Sequence, residues 1–386
     1  MISRKISQVV KELIEQVPVL TIIGPRQSGK TTLVKEMFPN YTYVNLEDPK
    51  TRALAQNDYE GFFAKYREPL IIDEVQQVPE LLSAIQVLVD ADRNKCGRFV
   101  ITGSHQPLLQ AKIAQSLAGR TSILTLLPLS IEELKEEKIL STDEFLLRGF
   151  MPELYHKNSR RPHIYYRDYM STYIERDLRQ MLAVKDLQHF DKFLHLLAGR
   201  VGQVVNLSQL AGEVGVSSTT LAQWLSVLEA SFIIFRLQPY FSNISKRHTK
   251  SPKLYFLEPG LAAYLLGIET AEQIARDPLR GQLFENMVVV EALKSRLNQG
   301  DDGNLFFVRT VKGVEIDLVL KKAGRLYPFE IKSAMTPAKE FTKSLRAFKE
   351  CETNCGTPRV VYAGEGYPSF EGAEYVNYVN VGSFMK

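Results

Sequence analysis

Cysteine is scarce in this chain. Cys96, Cys351 and Cys355 are the only ones among 386 residues, and no second Cys or His pair completes a zinc set. That excludes a disulfide scaffold and a zinc module, and leaves free thiols in a reducing compartment. Apolar runs are short, and none reaches the roughly 18 residues of a spanning helix, so no membrane partner is expected. The opening MISRKISQVVKEL lacks an uninterrupted apolar stretch and a small-residue cleavage site. It reads as an amphipathic helix and not as a signal peptide, and the expected compartment is the cytoplasm. Charge of one sign is lacking too. The net charge of +4 does not demand a nucleic-acid partner, so such a reading must rest on local patches. No internal repeat or low-complexity tract is visible. What remains is an ordinary core-forming composition, 45% hydrophobic, long enough for two or three domains.

The first motif lies near the start. The apolar run VPVLTII leads into Gly24-Pro25-Arg26-Gln27-Ser28-Gly29-Lys30-Thr31-Thr32 and then LVKEM, of helical composition. This is GxxxxGK[ST] between a strand and a helix, the setting that makes it a phosphate loop. Gly24 and Gly29 let the backbone bend with its N–H groups turned inward. The helix beginning near Lys30 points its positive end at an anion. Lys30 is expected at the β- and γ-phosphates of ATP and the Thr31 hydroxyl on Mg2+.

A second motif supports the first. PLIIDEVQ is a buried strand ending in Asp73 and Glu74. Asp73 at the strand tip is placed to hold the magnesium shell, and Glu74 to polarise the attacking water. The candidate strand Tyr41 to Leu46 lies between the two motifs in sequence. RFVITGSH is another apolar strand, and Thr102 and Ser104 at its tip are sensor candidates, or plain loop polars. Arg120, after a helical stretch, is read either as an arginine finger reaching a neighbouring subunit or as a salt-bridged surface residue. Arg26 is a second basic group near phosphate.

GPRQSGKTTL, LIIDEVQ, FVITGS and SLAGR followed by LLPLS resemble the bacterial and archaeal P-loop ATPases of the AAA+ superfamily that carry a C-terminal domain of unknown function. The resemblance runs the length of the chain, through Arg148-Gly149-Phe150-Met151-Pro152-Glu153 and Tyr173-Ile174-Glu175-Arg176-Asp177. Phe150 stands where the family usually has a second small residue. The resemblance implies a homo-oligomer, with a hexameric ring as one form.

Further on, SQLAGEVG reads as a short helix with a Gly stop, VSS as a turn, and TTLAQWLSVLEAS as a second helix. Leu221, Trp224, Leu225 and Leu228 fall on one of its faces. This is a helix-turn-helix pattern. FIIFRLQPYF and KLYFLE then flank a turn carrying Lys246, Arg247, Lys250 and Lys253. Together they make a winged helix whose basic wing would contact DNA phosphates. The bland reading is a solvated tip or a protein-binding module.

The last part carries Glu285 on a helical run, Asp317 in the strand VEIDLVL, and Glu330-Ile331-Lys332 ending the next strand. Residues two apart share a strand face, so Glu330 and Lys332 point the same way. Acid, spacer and E-x-K resemble the PD-(D/E)xK nucleases. That implies a metal held by Glu285, Asp317 and Glu330, with Lys332 beside it. The competing reading is an amphipathic strand pair. The expected architecture is α/β: an AAA+-like P-loop parallel sheet with helices on both faces over residues 1–145, a helical and winged-helix region over 146–265, and a small nuclease-like α/β domain over 266–386. Three functions stay open. They are an ATPase that binds or remodels DNA, branched DNA included; a nucleotide-dependent switch with protein-binding modules; and an ATP-driven metal-dependent nuclease.

Overall fold

The computed structural model describes residues 2–104, 107–135, 140–173, 187–240, 251–309, 313–352 and 354–386. The chain divides into two compact units, Met1–Leu129 with two short later segments, and most of the remainder.

Unit 1 is built on five parallel strands: β1 (Val19–Gly24), β2 (Thr42–Asn45), β3 (Leu70–Asp73), β4 (Phe99–Ser104) and β5 (Thr121–Thr125). Their order is β2-β3-β4-β1-β5. Strands β1, β3 and β4 are buried along their whole length, as expected of a parallel sheet covered on both faces. Alternation sorts their side chains into two cores. Val19, Leu70, Ile72, Phe99 and Ile101 face one side, where the helix Leu81–Ala91 supplies Leu82, Ile85 and Val89. Leu20, Ile22, Ile71 and Val100 face the other, against Val10 of the helix Ser7–Ile14 and Leu33 and Val34 of the helix Lys30–Met37. Strand β4 lies between β1 and β3, so the two motif strands expected from sequence are separated by one strand. The carboxyl ends of β1, β3 and β4 lie along one edge, where ligands of such sheets bind.

Unit 2 begins with short helices and contains one mixed eight-stranded sheet. Its strands are β6 (Ile234–Pro239), β7 (Lys253–Phe256), β8 (Leu305–Arg309), β9 (Glu315–Lys322), β10 (Arg325–Lys332), β11 (Arg359–Tyr362), β12 (Tyr367–Phe370) and β13 (Ala373–Asn377). The order is β12-β13-β11-β10-β9-β8-β6-β7. The helix-turn-helix reading maps onto the helices Leu207–Val214 and Ser218–Ala230. Asn206 caps the first, accepting from the N–H groups of Ser208 and Gln209. Gly215, at φ 94°, ends it in the left-handed conformation that glycine adopts without strain. Leu221, Trp224, Leu225 and Leu228 are the buried face of the second. Trp224 packs on Phe190 and Phe193, at 5.1 and 5.4 Å between centroids.

The hairpin after these helices does not stand apart. The outer edge of β6 pairs in parallel with β8, Gln238 opposite Phe306 and Pro239 opposite Phe307. Sequence reading gave the last part its own short sheet; instead the hairpin extends that sheet by two strands. Unpaired main-chain groups at a buried edge are costly, and β8 satisfies them here. The helix Arg280–Leu297 is buried on nearly all sides, polar residues included. Each such residue has a partner: Asn286 accepts from Phe256 N–H at 2.7 Å and donates to Phe256 C=O at 2.9 Å, and Lys294 donates to Glu291 at 2.7 Å. Among the described residues no helix is long and apolar enough to cross a membrane.

Candidate functional site

The phosphate loop closes β1 and opens the helix Lys30–Met37. A Cβ on Gly24 would stand 2.2 Å from the carbonyl oxygen of Leu126, so only glycine fits that approach. Gly29 has φ 94° at the helix N-cap. Arg4 braces the loop, donating to Ser28 C=O at 2.8 Å and Leu127 C=O at 2.6 Å. Lys30 is 4% exposed. Its Nζ donates to the carbonyls of Gly24 at 3.0 Å and Pro25 at 2.8 Å. Burial lowers its pKa to about 8, against the opposing pull of Glu74 and Asp73. A lysine held only by neutral carbonyls is a poorly compensated cation, suited to an arriving anion. The Ser28 hydroxyl is buried without a partner at the same turn.

Asp73 gathers three hydroxyls. Thr31 donates to its Oδ2 at 2.8 Å, Tyr43 to the same oxygen at 2.7 Å, and Thr102 to Oδ1. A threonine hydroxyl beside a carboxylate is a hard-oxygen donor pair that fits Mg2+. The Glu74 N–H donates to Thr102 Oγ1 at 3.3 Å. Its carboxylate accepts from Gln76 and from Ser104, the latter at 3.3 Å. Glu74 itself is left-handed, at φ 59°. Thus Lys30, Thr31, Asp73, Glu74, Thr102 and Ser104 are brought together. Arg120 is not: its guanidinium holds Asp90 through Nε at 2.9 Å and Nη2 at 2.8 Å. Tyr43, Arg4 and Gln76 escaped the sequence reading, because no spacing rule joins them to the motifs. Burial and its bond to Asp73 raise the Tyr43 phenol well above its ordinary pKa.

Unit 2 holds a second cluster. Lys253 does not lie on a basic wing tip. It is on β7, 3% exposed, with Nζ at 2.7 Å from Glu315, 3.1 Å from Glu285 and 3.7 Å from Asp317. An ammonium so enclosed presents no surface to a DNA phosphate, which corrects the expectation for this residue. Lys246, Arg247 and Lys250 lie outside the described residues. Lys332 Nζ is 2.7 Å from Glu330 and 3.6 Å from Asp317. Asp317 also accepts the Ile331 N–H at 2.9 Å, and Tyr255 donates to Glu285 at 2.6 Å. Burial, and then the Asp317 charge, lift Glu285 and Glu330 to about 7. Burial opposes the charge on Lys253, but Glu285, Asp317 and Glu315 outweigh it and hold its pKa above the ordinary value. The acids expected at a metal do converge. Yet among the described residues no set of three His, Cys, Asp or Glu side chains is arranged to hold a metal ion. Lys253 and Lys332 stand among these carboxylates instead.

Comparison with known proteins places these parts. An AAA domain matches residues 16–135. Domains of unknown function match residues 139–272 (DUF8612) and 280–382 (DUF4143). A protein of Methanocaldococcus jannaschii, MJ1544, is 23% identical over 78% of this chain and 71% of its own length. Solved structures give faint likenesses. The signal transduction ATPase PH0952 of Pyrococcus horikoshii has a TM-score of 0.26 and 14% identity over 75% of this chain, which spans only 47% of that protein. VC1899 of Vibrio cholerae has a TM-score of 0.23 and 11% identity over 95% of this chain and 96% of its own. Scores this low carry no argument. The mycobacterial proteins Rv2008c of Mycobacterium tuberculosis and Mb2031c of Mycobacterium bovis are each 32% identical over 92% of this chain and 79% of their own length. This chain belongs to their family, and the part of it that carries the phosphate loop is an AAA domain with an ATPase-like fold.

Proposed function

We propose that the protein is a Mg2+-dependent ATP hydrolase whose unit 2 docks DNA without cutting it. The observation that carries the first half is the Thr31–Asp73 hydrogen bond of 2.8 Å, which joins the phosphate-loop helix to the tip of β3 directly beside Lys30. Backbone N–H groups of the loop and the Lys30 ammonium would receive the triphosphate. Thr31 and Asp73 would hold Mg2+, which when bound neutralises phosphate charge. Glu74 would take a proton from the water that attacks the γ-phosphorus, with ADP as leaving group. Thr102, bonded to both Asp73 and the Glu74 N–H, keeps the two acids in register. A ring with Arg120 as its finger draws no support from the geometry, since Asp90 holds the Nε–Nη2 edge of that guanidinium and Nη1 donates to the Ala118 carbonyl.

The second half rests on the helix-turn-helix followed by the β6–β7 hairpin. The test is ATP turnover with no DNA and with linear, single-stranded and four-way DNA, beside salt-dependent binding. Glu74→Gln is expected to keep ATP binding and lower turnover by about 10²-fold or more. Unchanged turnover in that variant would overturn the hydrolysis reading. Absence of both DNA stimulation and salt-sensitive binding would overturn the DNA reading. One observation favours a switch that captures protein instead: the helix Ser218–Ala230 contains no Lys or Arg. In that case protein capture, not DNA binding, would follow the nucleotide state.

A further inference from the structure

The acidic cluster of unit 2 draws on four elements. Glu285 comes from the helix Arg280–Leu297, Glu315 and Asp317 from β9, Glu330 from β10, and Lys253 reaches in from β7. Three of the four carboxylates lie within 3.7 Å of one nitrogen. The two shorter separations suit N–H···O bonds to an ammonium, and the 3.7 Å one an ion pair. A small divalent cation would need the same oxygens at about 2.0–2.2 Å, with the space between them free.

Lys253 has little room to withdraw. Its main chain pairs with Leu237 of β6 on one side and bridges to Val204 on the other. Its ammonium lies 5.6 Å from the Phe307 ring centroid, and its side chain is 4% exposed. Lys332 closes the far side, between Asp317 and Glu330. Asp317 is the hinge of the arrangement, with Oδ1 toward Lys253 and Oδ2 toward Lys332. One Glu330 oxygen is buried without a hydrogen-bond partner.

We propose that the Lys253 ammonium is the resident cation of this cluster, occupying the position in which these carboxylates would otherwise grip a divalent metal, so that the native chain holds no metal there. The cluster is then a packing device, four carboxyl groups around two ammonium groups, with the donor set of a metal site, and removing Lys253 exposes that set. The inference stands on unit 2 alone and is independent of the ATP-hydrolysis reading.

The test is Mn2+ stoichiometry by calorimetry on the full-length, nucleotide-free protein. Native protein, Lys253→Met, and Lys253→Met with Asp317→Asn are compared. The expected result is one additional Mn2+ per chain in Lys253→Met and its loss in the double variant. A folded Lys253→Met protein that gains no Mn2+ overturns the proposal. Glu330→Gln in the otherwise native chain gives an arm that does not depend on the Lys253 variant folding. Unchanged Mn2+ uptake there supports the proposal, and loss of a bound Mn2+ on that substitution overturns it.

Discussion

Two buried lysines in this molecule have opposite fates. Lys30 and Lys253 are almost equally hidden, at 4% and 3% exposure, and both have carboxylates nearby. Lys30 donates only to main-chain carbonyls, so desolvation wins and its pKa falls to about 8. Lys253 donates straight to carboxylates, so their charge wins and its proton is held more tightly than usual. Burial alone therefore predicts nothing about a lysine. Whether its contacts carry charge decides whether it is free to receive an anion or already saturated by anions.

The comparison can be broken most sharply by removing each lysine. Lys30→Ala is expected to lower ATP turnover by about 10²-fold or more, with only a small change in the urea midpoint; phosphate release and denaturation curves check both. A large loss of stability would mean that Lys30, like Lys253, is mainly structural. Lys253→Ala should have the reverse profile. Leaving buried acids uncompensated costs about 3–5 kcal/mol, read as an earlier unfolding transition of unit 2, while turnover per folded molecule is kept. Tyr43→Phe has a smaller effect. It strips one donor from Asp73, and the Mg2+ needed for half-maximal turnover should rise about tenfold; an unchanged requirement would remove Tyr43 from the site.

The pH response is the mildest test. Glu285 and Glu330 move from an ordinary 4.5 to about 7 on folding. Between those values the unfolded chain releases the protons first, so the folded chain binds more. Stability therefore declines as pH rises from 4.5 to 7. Urea midpoints across that window should show the decline, and Glu330→Gln should flatten it.

What sequence could read here was local. The phosphate loop and the strand ending in Asp73 each lie within ten residues, and the mostly apolar runs β1, β3 and β4 forecast a doubly covered parallel sheet because no charged residue interrupts them before their carboxyl ends. Sequence named Thr31 and Asp73 by spacing, but Tyr43 meets Asp73 only because β2 pairs with β3. Lys253 misled for the same reason. In sequence it closes a basic stretch, while in space Glu285, Glu315 and Asp317 surround it. The Asp90–Arg120 pair and the β6–β8 join are likewise products of chain return, which residue patterns do not encode. Glu258 is a further case. It is buried, lifted to about 7 by desolvation, and accepts from the Phe150 N–H at 2.8 Å across the fold.

The pairing of β7 with β6 puts Lys253 opposite Leu237 and Leu254 opposite Arg236. A slip of one residue would turn the lysine to the other face and thrust Leu254 among the four acids. A hydrocarbon there would take the Lys253 ammonium from Glu285, Glu315 and Asp317, so the misaligned hairpin is heavily disfavoured. The lysine thus works as a registration pin: it tells the last strand of the sheet where along its neighbour to stop.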